Sequence, residues 1–337
     1  MRKVLILFLL SILFFYSCGK QHENFYTIGI FQVNDAPHLD EVRKGFIRAL
    51  ENSGLRDGEN IRLIIRNGKG NIPEVQRIAQ EFVTEEVNMI VALSTPCLQA
   101  ALIATHEVPI VFSSVADPYI AGAGKSASDH LSTVTGVCSR SPIKESLEFI
   151  KKILPGAKRL GTLWTPSEIN SQFYFELARD EARSLNLEIV DVLIANKSQV
   201  LHSAQVLINK KIDAIYQISD NTINASFQAL GNVAEENAMP LFGGFLLSTQ
   251  LGACAALGWD FFEMGQKTGE IALRVKNGES PAEIPIQYMS KVRLHLNLQA
   301  AETQGIKFCG QILDKADEIL NGEENSQNRS DKNHSNI

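Results

Sequence analysis

The chain has 337 residues, 45% of them apolar and 21% charged, which supports a buried core and about two domains of ordinary size. Its formal net charge of −6 offers no basic surface for a polyanion and excludes nucleic acid as a partner.

Arg2 and Lys3 open the chain, and an almost wholly apolar run follows over 4–16. That run is short for a bilayer span and has the size of a signal-peptide core. In "FYSCGK", Ser17 before Cys18 resembles the site at which bacterial lipoproteins are cleaved and lipidated. Residues 1–17 are therefore expected to be a signal peptide, with 18–25 a polar tether lipidated at Cys18. Without 1–17 the chain carries 30 basic against 38 acidic residues, a net charge of −8. The four later cysteines, Cys97, Cys138, Cys254 and Cys309, are too widely spaced for a metal motif and are expected to stay free and buried.

From Tyr26 strand-like and helix-like segments alternate. Strands are expected at 26–33, 60–67, 88–93, 109–114 and 133–137, with helices at 38–52 and 73–86. A second series opens with a helix over 142–154. Strands at 159–164, 187–194 and 212–217 follow, separated by helices over 168–185 and 197–209. A helix over 222–237 and short strands near 240–242 and 253–257 complete it. This alternation predicts an α/β protein with two doubly wound parallel-sheet lobes. The polar stretch 321–337 lacks periodicity and is expected to be disordered.

Four apolar runs end in Ser, Thr, Asp or Pro: "VALSTPC", "VFSSVADP", "GTLWTPSE" and "YQISDNT". In an open parallel sheet, ligands bind beyond these strand ends. One reading is purely structural. Thr95-Pro96, Asp117-Pro118, Ser141-Pro142 and Thr165-Pro166 each put a capping side chain before a proline, and Thr165 with Glu168 fits a capping box. The other reading is a ligand site. Helix starts attract a carboxylate, and Ser94, Thr95 and Ser114 add hydroxyls. Asp117 and Asp220 suit an ammonium group; Trp164, Phe245 and, if turned inward, Phe31 would wall an apolar body. Both readings stay open for Asp220.

Catalysis finds little support. None of the seven histidines forms a nucleophile–base or zinc motif. Cys97 stands at a helix start, where a thiolate could be stabilised, but has no histidine partner in the sequence. "GKG" at 68–70 and "AGAGKS" at 121–126 lack phosphate-loop spacing and read as turns.

"GIFQVNDAPHLDEVRKGFIRALENSG", "STPCLQAALIAT", "PIVFSSVADP", "VTGV", "TPSEINS" and "DAIYQISDNT", in order over about 26–306, resemble the substrate-binding lipoproteins of ABC importers. The branch is the one that includes binders of tryptophan and other aromatic amino acids. The resemblance implies a type I periplasmic-binding-protein fold, with three crossings near 136–142, 259–260 and 289–293. The lobes would be 26–137 plus 260–289, and 138–259 plus 290–320. It also implies that Gln32, Ser94, Thr95, Asp117, Ser167, Asp220 and Asn221 line the cleft, with Trp164, Gly244 and Phe245 as further ligand contacts. Ser94 and Cys97 stand where the family usually has Gly and Ala, and Trp164-Thr165 where Tyr-Asn is common. Gly244-Phe245 stands where many members have Gly and an acid, so this cleft should be less charged. Implied partners are a small amphipathic ligand, a permease with its ATPase, and the membrane through the lipid; the protein would be a monomer with no cofactor. A ligand sensor feeding a signalling partner is the alternative. A transcription-factor core would need a DNA-binding segment where the leader and Cys18 stand.

Overall fold

The computed structural model describes residues 25–321. Residues 1–17, Cys18 and the tail beyond 321 lie outside them. The described chain contains β1 (Tyr26–Gln32), β2 (Ile61–Asn67), β3 (Met89–Leu93), β4 (Ile110–Val115), β5 (Val134–Cys138), β6 (Arg159–Trp164) and β7 (Glu188–Leu193). After them come β8 (Ala214–Gln217), β9 (Leu241–Gly243), β10 (Ala255–Gly258), β11 (Gln287–Tyr288), β12 (Arg293–Asn297) and β13 (Glu318–Leu320). The helices that matter for the site are α1 (Pro37–Asn52), α2 (Ile72–Thr84), α3 (Thr95–Ala104), α4 (Ile143–Ile153) and α5 (Ile169–Ser184). To these are added α6 (Val200–Ile208), α7 (Asn221–Asn224), α8 (Phe227–Glu236) and α9 (Phe261–Lys276).

Two sheets result, in the orders β11-β5-β4-β3-β1-β2 and β13-β12-β10-β9-β8-β6-β7. Every neighbouring pair in the first is parallel. In the second only β10 and β12 run antiparallel. The all-apolar β3 is buried along its whole length, as a central parallel strand covered on both faces must be. The chain passes between the sheets after β5, after β10 and after β11. The expected elements agree to within a few residues, save one, while α9, β12 and β13 were not among those expected. The helix expected over 222–237 is broken at Ala225–Ser226 into α7 and α8. The break turns Phe227 inward, edge-on to Phe245 at 5.3 Å.

α1 and α9 lie against each other along a seam of glycines. A Cβ on Gly45 would overlap the carbonyl oxygen of Phe262, and one on Gly265 that of Val42. This contact holds His38, on the first turn of α1, beside Phe261, the first residue of α9, with ring centroids 5.0 Å apart. Gly265→Ala should therefore force the helices apart and lower stability in urea by ~1–3 kcal/mol. Gly156→Ala, where nothing lies near an added Cβ, should stay within ~0.5 kcal/mol. Equal losses for the two would show that the seam is not close-packed.

Candidate functional site

The carboxyl ends of both sheets face a shared cleft. His38, Thr95, Ser114, Ala116 and Phe261 of the first lobe, Asn170, Tyr174, Ser219 and Asn221 of the second, and Ser139 and Ser141 from the first passage line a tight space with room for about one water molecule. No lining side chain is an acid, a lysine or an arginine. His38 is neutral, because burial between aromatic rings pushes it down to about 3. Across the cleft mouth, Asn34 Nδ2 donates to the Asn221 carbonyl at 2.8 Å and ties one lobe to the other.

The first-lobe wall is strained. Ser94 has φ 107° and ψ 160°, a region that glycine enters freely and other residues at a cost of ~1–3 kcal/mol. Ser114 is left-handed at φ 56°. The glycine usual at position 94 is the relaxed choice. Here Ser94 brings an Oγ that is buried without a partner at the start of α3.

The second-lobe wall is organised by two buried carboxylates. Asp220 is 0% exposed; it caps α7 by accepting from Ile223 N (2.8 Å) and also accepts from Thr165 N (2.9 Å) and Ser171 Oγ (2.6 Å). Glu168 accepts from Asn221 Nδ2 (2.7 Å) and N (3.2 Å), and from Thr222 Oγ1 (2.6 Å) and N (3.2 Å). The geometry thus gives Asp220 its capping role and turns both of its oxygens into the lobe. The capping box read at Thr165 is absent. Glu168 makes no cap bond to its own helix and instead serves the start of α7, more than fifty residues on.

Other site residues are distributed unevenly. Thr95 and Asn221 reach the cavity. Thr95 Oγ1 accepts from Ala116 N at 3.3 Å rather than capping α3. Asp117 accepts from Tyr119 N (2.9 Å) and Ile120 N (3.2 Å) and pairs with Arg140, so its charge is already met. Ser141 caps nothing; Pro142 precedes α4 without a side-chain bond. Gln32 is buried within the first lobe, donating to the Asn34 carbonyl and Asp40. Ser167 is exposed. Trp164 stacks on Phe175 at 4.6 Å and donates to Asp191, and is not part of the cavity lining. Phe31 packs edge-on to Phe82 in the first core. Phe245 lies directly behind His38, ring centroids 5.5 Å apart. Gly244 approaches the Gln217 carbonyl and Ser219 N too closely for a side chain.

His38, Asn34, Asn170, Tyr174 and Arg140 were missed as site residues. Asn34 follows the end of β1, so the strand-end rule alone could have found it. Tyr174 ties α5 to the first passage, its hydroxyl donating to the Ser139 carbonyl at 3.0 Å. The Trp259 indole N–H donates to the Arg140 carbonyl at 3.0 Å and joins the first two passages. Cys97, Cys138 and Cys254 are buried and free, while Cys309 is free but exposed, against expectation. Burial pushes the Cys97 thiol up to about 12, which removes it as a nucleophile. Among the described residues no group of three or more His, Cys, Asp or Glu is placed to hold a metal ion.

The model of the ABC transporter substrate binding protein family matches residues 27–320, and the chain belongs to that family of solute-binding proteins, which are not enzymes. It is 35% identical over 303 residues, 89% of this chain and 87% of the relative, to a tyrosine-binding protein of Clostridioides difficile. Among solved structures, it resembles an ABC domain from Streptococcus pneumonia in complex with L-Trp, with TM-score 0.81 and 25% identity over 87% of this chain and 100% of that one. It also resembles the ligand-free, open structure of a substrate-binding protein with adhesive properties from Clostridium difficile, with TM-score 0.66 and 30% identity over 88% and 99%. These likenesses establish the type I periplasmic-binding-protein fold.

Burial, then the neighbouring Asp220 charge, raises Glu168; burial raises Asp220. Ionising this pair thus costs more in the folded protein than in the unfolded chain, where carboxylates ionise near ~4. The pair's contribution to stability is full below that range and is lost as pH rises toward and past neutrality. The melting temperature should therefore fall between about pH 5 and about pH 8 more steeply in wild type than in Glu168→Gln. Parallel curves would contradict the assignment.

Proposed function

We propose that the protein is an extracytoplasmic solute receptor of an ABC importer, anchored through lipidated Cys18, that closes on an aromatic amino acid and delivers it to a permease and its ATPase. The observation that carries the ligand reading is the lining of the cleft. It combines the His38, Phe261 and Tyr174 rings with hydroxyls and amides and carries no net charge. A buried ion without a partner is strongly disfavoured, so ligands with charged side chains fit poorly. A zwitterion fits, since hydroxyls, amides and the start of α3 can meet its two ends as dipoles. A relative named as a tyrosine-binding protein and a similar structure solved in complex with L-Trp support the same class.

Closure as the mechanism is supported by the lobe arrangement. The chain superposes better on the L-Trp complex than on the ligand-free, open structure, although its identity to the open one is higher. A ligand touching both lobes would favour the closed arrangement by its differential contacts, and the permease would read that state. The three passages between the sheets are the natural hinge, with lobes 26–137 plus 260–289 and 138–259 plus 290–320. Arg140 ties the first passage to the first lobe through Asp117, Trp259 joins the first passage to the second, and Tyr288 meets Tyr119 at the third.

A thermal-shift screen of amino acids, nucleosides and sugars tests the ligand class. An aromatic amino acid at a hundred times its dissociation constant should add ~2.7 kcal/mol of stability. Lysine, glutamate and sugars should add nothing; stabilisation by any of these in place of aromatic amino acids would refute the reading. For the anchor, wild type should partition into detergent and Cys18→Ala into water, since acyl chains add ~0.8 kcal/mol per buried methylene. Aqueous partitioning of both would rule the lipid out.

A further inference from the structure

His38 is an expensive residue to bury where it stands. It is 2% exposed, held between Phe245 at 5.5 Å and Phe261 at 5.0 Å. Its Nδ1 has no hydrogen-bond partner. A phenyl or aliphatic side chain would pack in that sandwich without leaving a polar atom unpaired. The imidazole is nonetheless there, on the wall of the ligand cavity. Burial keeps it neutral, so one ring nitrogen carries a hydrogen and the other a free lone pair. The α1–α9 seam fixes the ring's position from behind.

We propose that His38 reads the ring of the bound amino acid. Its imidazole accepts the polar hydrogen of a phenol O–H or an indole N–H, so the site prefers tyrosine or tryptophan to phenylalanine. This rests on the aromatic-amino-acid reading above and adds the residue that discriminates within that class. The logic is that of any site built to hydrogen-bond a substrate. A ligand lacking the group leaves a buried polar atom unpaired and is rejected far more strongly than shape alone would require.

Calorimetry with tyrosine, tryptophan and phenylalanine on the full-length protein and His38→Phe tests this. The substitution keeps a ring in the sandwich and removes both nitrogens. Wild type should bind the better of tyrosine and tryptophan about tenfold or more tighter than phenylalanine, and His38→Phe should bring that ratio close to one. A ratio unchanged by the substitution would overturn the role of His38 while leaving the aromatic ligand class standing. Failure of wild type to bind any of the three would remove both. A second measurement needs no substitution: in protein carrying ¹⁵N-labelled histidine, the His38 ring nitrogen resonances should move with tyrosine or tryptophan and hold still with phenylalanine. The same shift with all three ligands would also overturn the proposal.

Discussion

Two carboxylates buried side by side at the ends of β6 and β8 set the terms for the rest of the cleft. An unpaired buried carboxylate is untenable, so Asp220 and Glu168 must collect donors from whatever lies near. They take the free N–H groups at the start of α7, the Thr165 amide, and the side chains of Ser171, Asn221 and Thr222. The cleft wall of the second lobe is thereby fixed in position, and its acids are turned away from the ligand. What remains at the surface of the cavity is amide and hydroxyl.

The first lobe reaches the same neutral result differently. Asp117, the acid nearest its strand ends, is held by its own turn and by Arg140. Arg140 belongs to the passage between lobes, and its carbonyl receives the Trp259 indole N–H of a second passage. A charge pair that neutralises the cleft thus also couples the connecting segments to one another. Opposite it, the glycine seam between α1 and α9 lets helix backbones approach closely, so the cavity's aromatic side rests on close-packed backbone. The same lobe carries strain at Ser94 and Ser114, both at positive φ.

The architecture was legible because it follows from periodicity. Apolar runs such as "MIVAL" announce buried parallel strands, and the alternation with amphipathic helices leaves few other folds. The break inside 222–237 was not legible, since "NTINASF" has neither glycine nor proline; it comes from Phe227 packing on Phe245. At the site, the strand ends singled out in the sequence do border the cavity, while several of the side chains named there, such as Gln32, Ser167 and Trp164, are not among its lining. Whether Asp220 faces a ligand or caps a helix depends on Thr165 and Ser171, some fifty positions away. No local pattern encodes that. His38 matches no motif in the sequence, because its importance comes from Phe245 and Phe261, which only the fold brings to it.

Closure of two lobes on an amphipathic ligand without net charge is the centre of this account, and an interlobe distance tests it most directly. Lys69 and Lys197 border the same groove from opposite lobes. Spin labels at Lys69→Cys and Lys197→Cys, with the exposed Cys309 changed to serine, would report their separation by pulsed electron paramagnetic resonance. The account predicts a long or broad distribution without ligand that collapses to one short distance when tyrosine or tryptophan is added. A distribution that is the same with and without ligand, under conditions where calorimetry shows the ligand bound, would contradict it.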